Sequence, residues 1–363
     1  MKKLSAEGLA PGLSLAIIAI ILLALAFGCS TTPAATPTAT AIPSPIPTAT
    51  PTPPSSPSIK PENASRVKES GRINVSGPLK LVWSLKGDSL AILGQTTVSL
   101  FDPNTLQRQV TFEGSARVLD FSSDGHTVAI QSGADQVELD NVTSGKAVTN
   151  IKLGVPSVQG LFSPDGAMLA LTMQDEIAVT LWDVATGQQL RKLSGFRTAA
   201  PVYGIFFAPN GRSLIWRARA TVQLMDIATG QLGPIFSHED FVTALALSPD
   251  GKTLATVVPT MVNNQFVGSI KLWDAASGSG TATLTQDDRP AMSITFSNDG
   301  RLLAADSGTF IELWDMASHQ RLQTLNALSS ATDNIDWLAF SPDGAILAST
   351  ATDGTVRLWR VSP

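Results

Sequence analysis

From residue 66 onward, apolar and polar positions recur in a fixed order. A short apolar strand runs into a turn of the Ser-Pro-Asp-Gly kind at Trp83–Gly87, Phe121–Gly125, Phe162–Gly166, Phe207–Gly211, Leu247–Gly251, Phe296–Gly300 and Phe340–Gly344. The closing glycines stand 38, 41, 45, 40, 49 and 44 residues apart. A second mark trails each turn, a strand ending typified by Leu-Trp-Asp: Ser99–Asp102, Glu138–Asn141, Thr180–Asp183, Gln223–Asp226, Lys271–Asp274, Glu312–Asp315 and Arg357–Arg360. Seven turns alternating with seven strand endings outrank any local reading of secondary structure.

Each unit has a physical logic. Proline presets φ at the first central turn position, Asp caps the turn with its side chain, and Gly accepts the left-handed conformation. The apolar run after the turn, as in Ala345–Ser349, suits burial on both faces. Gly354–Trp359 then alternates as a neighbouring strand. Ala-Thr-Gly at 185–187 and 228–230, Thr-Ser-Gly at 143–145 and Ala-Ser-Gly at 276–278 mark the next reversal. Four short strands at a period of about 43 residues predict a propeller blade.

These residues resemble WD repeats over roughly 66–363. The resemblance implies an all-β, seven-bladed β-propeller whose last blade takes its outer strand from Arg66–Ser76, closing the ring and removing open sheet edges. It also implies a structural hydrogen-bonding tetrad of His, Ser or Thr, Asp and Trp. His238, Thr256 and Trp273 match it in the fifth repeat, and Ser349, Asp353 and Trp359 in the seventh. Elsewhere it has decayed; at Leu139-Asp140 the Trp is lost, so apolar packing between sheets is expected to carry most of the stability.

The first sixty residues follow another pattern. Charge is absent from Gly8 to Ile59. Met1-Lys2-Lys3 is a short basic start, and Leu13–Phe27 is an apolar run of 15 residues, the length of an export segment and short for a membrane span. It ends at Gly28-Cys29, and Cys29 is the chain's single cysteine. The stretch resembles a bacterial lipoprotein signal, although Ala26 stands where leucine is usual. The resemblance implies cleavage of residues 1–28, a diacylglyceryl thioether on Cys29, acylation of the new amine and stable membrane anchoring. An uncleaved span over Leu9–Phe27 and an ordinary buried cysteine are the competing readings. Residues 29–60 then form a linker rich in Pro, Thr, Ser and Ala, with nine prolines between Ser30 and Ser58. Such a composition buries no core and favours extended conformations, reaching at most roughly 90 Å at about 3.1 Å per residue. Residues 61–363 are left for the propeller.

Composition narrows the chemistry. A formal net charge of −5 gives no electrostatic case for nucleic acid. One cysteine excludes a thiolate zinc cluster or an internal disulfide. His126, His238 and His319 fall in different repeats, and no phosphate loop or nucleophile elbow occurs. The turn aspartates are explained by turn capping, since calcium needs six to eight oxygens. No cofactor, metal or catalytic residue is expected. A non-catalytic, monomeric protein-binding platform on the bacterial envelope is the leading expectation. The rivals are a glycan-binding module and a propeller hydrolase, lyase or quinone-dependent dehydrogenase with carboxylates drawn from several blades.

The candidate contact residues lie on loops expected to share one rim. The fifth repeat carries an insertion, Val258–Phe266, offering Met261, Val262 and Phe266; it either forms a contact site or folds back on its blade. Asp333, Asp336 and Trp337, with Asp287, Asp288 and Arg289 and with Glu239, Asp240 and Phe241, are expected nearby as a contact patch or a solvated charged rim. Arg197, Arg217 and Arg219 form either a small basic patch or ordinary surface pairs.

Overall fold

The computed structural model describes residues 56–75, 80–114, 116–154, 157–173, 178–195, 204–262, 265–286, 289–330 and 332–362. The export-type run, Cys29 and most of the linker therefore lie outside the described residues. Those described form seven four-stranded antiparallel sheets. In chain order the blades are β2–β5 (Lys80–Trp83, Leu90–Leu93, Thr97–Phe101, Arg108–Glu113) and β6–β9 (Arg117–Phe121, Thr127–Gln131, Gln136–Asn141, Ala147–Lys152). Blades three and four are β10–β13 (Ser157–Phe162, Met168–Met173, Val179–Asp183, Gln189–Leu193) and β14–β17 (Gly204–Phe207, Ser213–Arg217, Thr221–Asp226, Leu232–Ser237). Blades five and six are β18–β21 (Ala244–Leu247, Thr253–Val262, Gln265–Asp274, Gly280–Thr285) and β22–β25 (Ile294–Phe296, Leu302–Ser307, Phe310–Asp315, Arg321–Asn326). The seventh combines β26–β28 (Ile335–Phe340, Leu347–Ala351, Thr355–Val361) with β1 (Val67–Asn74). Within each blade the strands run a, b, c, d from the axis outward.

Burial follows this order. The b strands are nearly continuous apolar runs, fully buried at Leu90–Leu93 and Leu347–Ala351 because sheets cover both faces. The d strands of blades one, two, five and six keep a single buried side chain each: Phe112, Ile151, Leu284 and Leu325. Seven apolar clusters each join one blade to the next, including one that joins blade seven to blade one through Trp83, Leu90, Ile92, Ala348 and Leu358. The ring is closed by packing as well as by pairing, since β1 runs against β28 from Val67↔Val361 to Asn74↔Thr355.

The a–b turns explain the recurring Ser-Pro-Asp-Gly. Buried Ser163 receives the Met168 N–H at 2.9 Å and donates to Asp165 at 2.5 Å, while Asp165 receives the Ala167 N–H. The same arrangement recurs at Ser248–Asp250 and Ser341–Asp343. Hydrogen bonding, led by the Ser163 hydroxyl, holds the Asp165 carboxyl below the usual carboxylate range. The serine is the buried centre of the turn and the aspartate its outer brace.

Candidate functional site

The a–b and c–d turns mark one face of the ring, and the b–c hairpins and d–a loops mark the other. On that second face blade five departs from its neighbours. Its b and c strands, β19 and β20, each run ten residues, where the other b strands run four to six. Pairing continues through Val258↔Ser269, Pro259↔Gly268, Thr260↔Val267, Met261↔Phe266 and Val262↔Gln265. The Val258–Phe266 insertion is therefore the tip of a β-hairpin and not a loop. Pro259 is tolerated because β18 stops at Ala244↔Val257. The Val257 carbonyl turns toward β18 to accept the Thr243 N–H, so by strand alternation the Pro259 nitrogen faces a free edge on the same side. The side chains of Val262 and Phe266 lie outside the described residues.

A polar bridge stands at the foot of this hairpin. The Thr256 hydroxyl contacts His238 Nε2 at 2.8 Å and accepts the Trp273 indole N–H at 2.8 Å. The imidazole meets the Trp273 ring edge-on, with centroids 5.1 Å apart. Burial pushes the His238 pKa down to about 4, so the ring is neutral at physiological pH. In blade seven, Trp359 Nε1 donates to Ser349 at 3.0 Å, but Asp353 meets no histidine. It accepts from Arg357 at 2.6 Å and from Thr355, making an ion pair beside the hairpin turn in which the arginine is buried and the aspartate reaches solvent.

The d–a loop before blade six is fastened to the same hairpin. Buried Gln286 donates its backbone N–H to Gly268 O at 2.9 Å, and its side chain donates to Asp306 O and accepts from Ala291 N. A Cβ at 268 would collide with Gln286 Oε1 and approach Pro290 Cα to 3.0 Å, so a side chain here would displace Gln286 from the hairpin. Asp306, fully buried, accepts the Met292 and Ser293 N–H groups at 2.9 and 2.6 Å. Burial pushes its carboxyl up to about 8 against the pull of those two donors, and nearby Asp336 adds to the rise. Thr243 Oγ1 closes the set by donating to Ala291 O at 2.7 Å.

Three exposed apolar side chains crown this fastened region. Phe241 is 37% exposed, Met261 53% and Met292 49%. The other exposed large apolar side chains among the described residues are scattered: Leu85 on an a–b turn, and Val148, Leu190 and Ile235 on the outer strands of three blades. Nothing along the chain marks Met292, whose backbone N–H is held by the carboxylate of Asp306, an element away in the chain.

Other expected residues take different places. Trp337 lies on β26, the innermost strand of blade seven, half-buried against the cluster shared with blade one and 5.8 Å beneath Lys80 Nζ. Asp336 is the extra residue of a bulge between Ile335 and Trp337, and burial raises its pKa. Both belong to the channel wall and not to the rim, because the inner strand begins one residue before them. Arg217 forms no basic patch; its guanidinium donates to Val242 O and Thr243 O, tying blade four to blade five. Arg289 donates to Asn334 at 2.7 Å across blades six and seven. Glu239 and Arg219 are exposed, and Asp240 and Asp333 half-buried. Asp287, Asp288 and Arg197 lie outside the described residues. Among the described residues no group of three or more His, Cys, Asp or Glu side chains is placed to hold a metal ion.

The family model described as WD domain, G-beta repeat matches residues 230–258 and 321–360. The chain carries WD40 repeats. The two matched windows include His238 and Thr256 in one, and Ser349, Asp353 and Trp359 in the other, the repeats that kept most of the polar group. The chain is 27% identical over 238 residues to the guanine nucleotide-binding protein subunit beta of Zea mays, covering 61% of this chain and 60% of that one. It is 32% identical over 131 residues to the small ribosomal subunit protein RACK1y of Oryza sativa subsp. japonica, covering 34% and 36%. A third relative, the target of rapamycin complex subunit wat1 of Schizosaccharomyces pombe, is 29% identical over 99 residues, covering 27% and 31%. The matches thus span less than two thirds of the length of these relatives.

Proposed function

We propose that this WD40 propeller is a non-catalytic protein-binding platform whose contact surface is the crown of Phe241, Met261 and Met292 on blades five and six. The carrying observation is that three exposed apolar side chains stand on one face of blades five and six, one on the projecting hairpin and two on the loops that enter these blades. Apolar side chains on an anchored frame suit a protein contact, because little conformational freedom is lost on binding. The relatives named above support the reading in one respect: each is by name a subunit or component of a larger assembly. In the same proposal the platform works outside the cytoplasm of a bacterium, held to a membrane by lipid on Cys29 and spaced from it by residues 30–58.

Affinity capture from membranes tests both parts. Phe241→Asp combined with Met292→Asp is expected to lower recovery of bound proteins at least tenfold while leaving the melting temperature unchanged; unchanged recovery would overturn the contact surface. Cys29→Ala is expected to release the protein from membranes, and continued retention would overturn the anchor.

A further inference from the structure

The opposite face of the ring carries a cleft of about 450 Å³ at the axial ends of blades four to six. Its walls include Phe206, Phe207, Pro209, Leu245, Pro249 and Asn298. The two phenylalanines are half-buried and Pro209 is exposed, so aromatic and proline surfaces meet solvent together. Grooves of this composition receive extended proline-rich chains, whose stiff polyproline conformation loses little entropy on docking.

The chain itself delivers such a segment to this place. Ser58 Oγ donates to Asp343 O at 2.8 Å and Ile59 N to Gly344 O at 2.8 Å, both on the a–b turn of blade seven. Asn298, in the cleft wall, donates to Ser341 O and Pro342 O of that same turn. From Ser58 the chain runs outward: Ile59 is buried between blades six and seven, and the 3-10 helix Pro61–Arg66 packs near the outer strand β25 and places Glu62 at 3.0 Å from Arg301. Traced backward, it is therefore heading toward the axis when it reaches Ser58, one turn from the cleft. The preceding residues 43–54 hold six prolines with Ile46 among them and carry no charge. At about 3.1 Å per residue they extend roughly 37 Å, enough to cross several blades' inner turns.

We infer that residues 43–54 dock in this cleft as a polyproline-like strand, held in cis. This goes beyond the proposed binding surface and does not depend on the anchor. Docking shortens the free spacer and occupies the a–b face, leaving the crown on the other side open. A tethered ligand needs only modest intrinsic affinity, because its effective concentration reaches the millimolar range.

The test places a photocrosslinking amino acid at residue 209 of the full chain. Blade two carries Ser123 at the equivalent turn position, so this turn does not require proline. Crosslinks within one molecule to residues 43–54, mapped by mass spectrometry, are expected. Replacing Pro43, Pro45, Pro47, Pro51, Pro53 and Pro54 with Ser should lower their yield at least fivefold. Crosslinks that join two copies, or that miss 43–54, would overturn the inference. An unchanged yield in the serine variant would overturn recognition of the polyproline conformation, leaving mere proximity.

Discussion

Blades two and five hold the same structural positions with opposite chemistry. In blade five, Thr256 and Trp273 meet through a hydrogen bond and His238 completes the bridge. The blade-two counterparts of Thr256 and Trp273 are Ile130 and Asp140, by their places in the two registers. Ile130 packs into the apolar cluster between blades one and two. Asp140 is 0% exposed, and neither of its carboxylate oxygens has a hydrogen-bond partner. Burial pushes its carboxyl up to about 6, with Glu138 adding to the rise. The contrast teaches that a blade of this ring needs no polar bridge to stand, since the apolar seams suffice. The bridge completed by a histidine stands in the blade whose hairpin is longest, whereas blade seven keeps only its Trp359–Ser349 half.

The largest expected effect breaks the bridge of blade five. Thr256→Val keeps shape but strips the partner from the Trp273 indole and the His238 ring, costing about 2–4 kcal/mol for two buried polar groups. Urea unfolding reads the loss, and Thr256→Ser should recover most of it. Next, Gly268→Ala forces Gln286 off the hairpin, costing about 1–3 kcal/mol by overpacking. Its mark is faster amide exchange at Gln286 and Ala291 than in the native chain, because these two N–H groups bond Gly268 O and the Gln286 side chain. Blade two should respond in the other direction. Asp140→Leu removes a buried charge and is expected to stabilise by up to about 2 kcal/mol at pH 8. The folded carboxyl titrates near 6 against an ordinary 3.8, so the native penalty is absent below about pH 4 and complete above about pH 7. The gain over native should therefore vanish at pH 4; an equal gain at both pH values would refute the buried-carboxylate account.

The smallest effect sharpens the comparison. His238 titrates near 4 when folded against an ordinary 6.5, so its contribution to stability is lost as pH falls from 6.5 through 4. Acidification from pH 7 to 5 should raise amide protection at Leu139 and lower it at Thr256, as read by hydrogen exchange. Parallel shifts at both would contradict the assignment.

Much of this architecture is legible in the chain. Seven glycine turns fix seven blades because a left-handed residue at each reversal admits little else, and the outer strand expected within Arg66–Ser76 is β1. The candidate surface is less legible. Pro259 reads as a break in a strand, and only the early end of β18 shows why it is harmless. Trp337 reads as a rim residue because no mark along the chain shows that β26 already begins at Ile335. Gln286 and Asp306 read as unremarkable polar residues. Their role depends on contacts between blades, which no spacing along the chain encodes. Asp140 is visible as a lost Trp, but its lack of partners is not.

The central claim is that the crown, and not exposed apolar surface in general, makes the contact. Val148 supplies the internal control, being 47% exposed on the outer strand of blade two against 53% for Met261. A photocrosslinking residue is placed at Met261 in one version of the full chain and at Val148 in another, both in living cells. The account predicts discrete protein adducts from position 261 and few or none from 148. Equal adducts from both positions, or adducts from 148 alone, would contradict it.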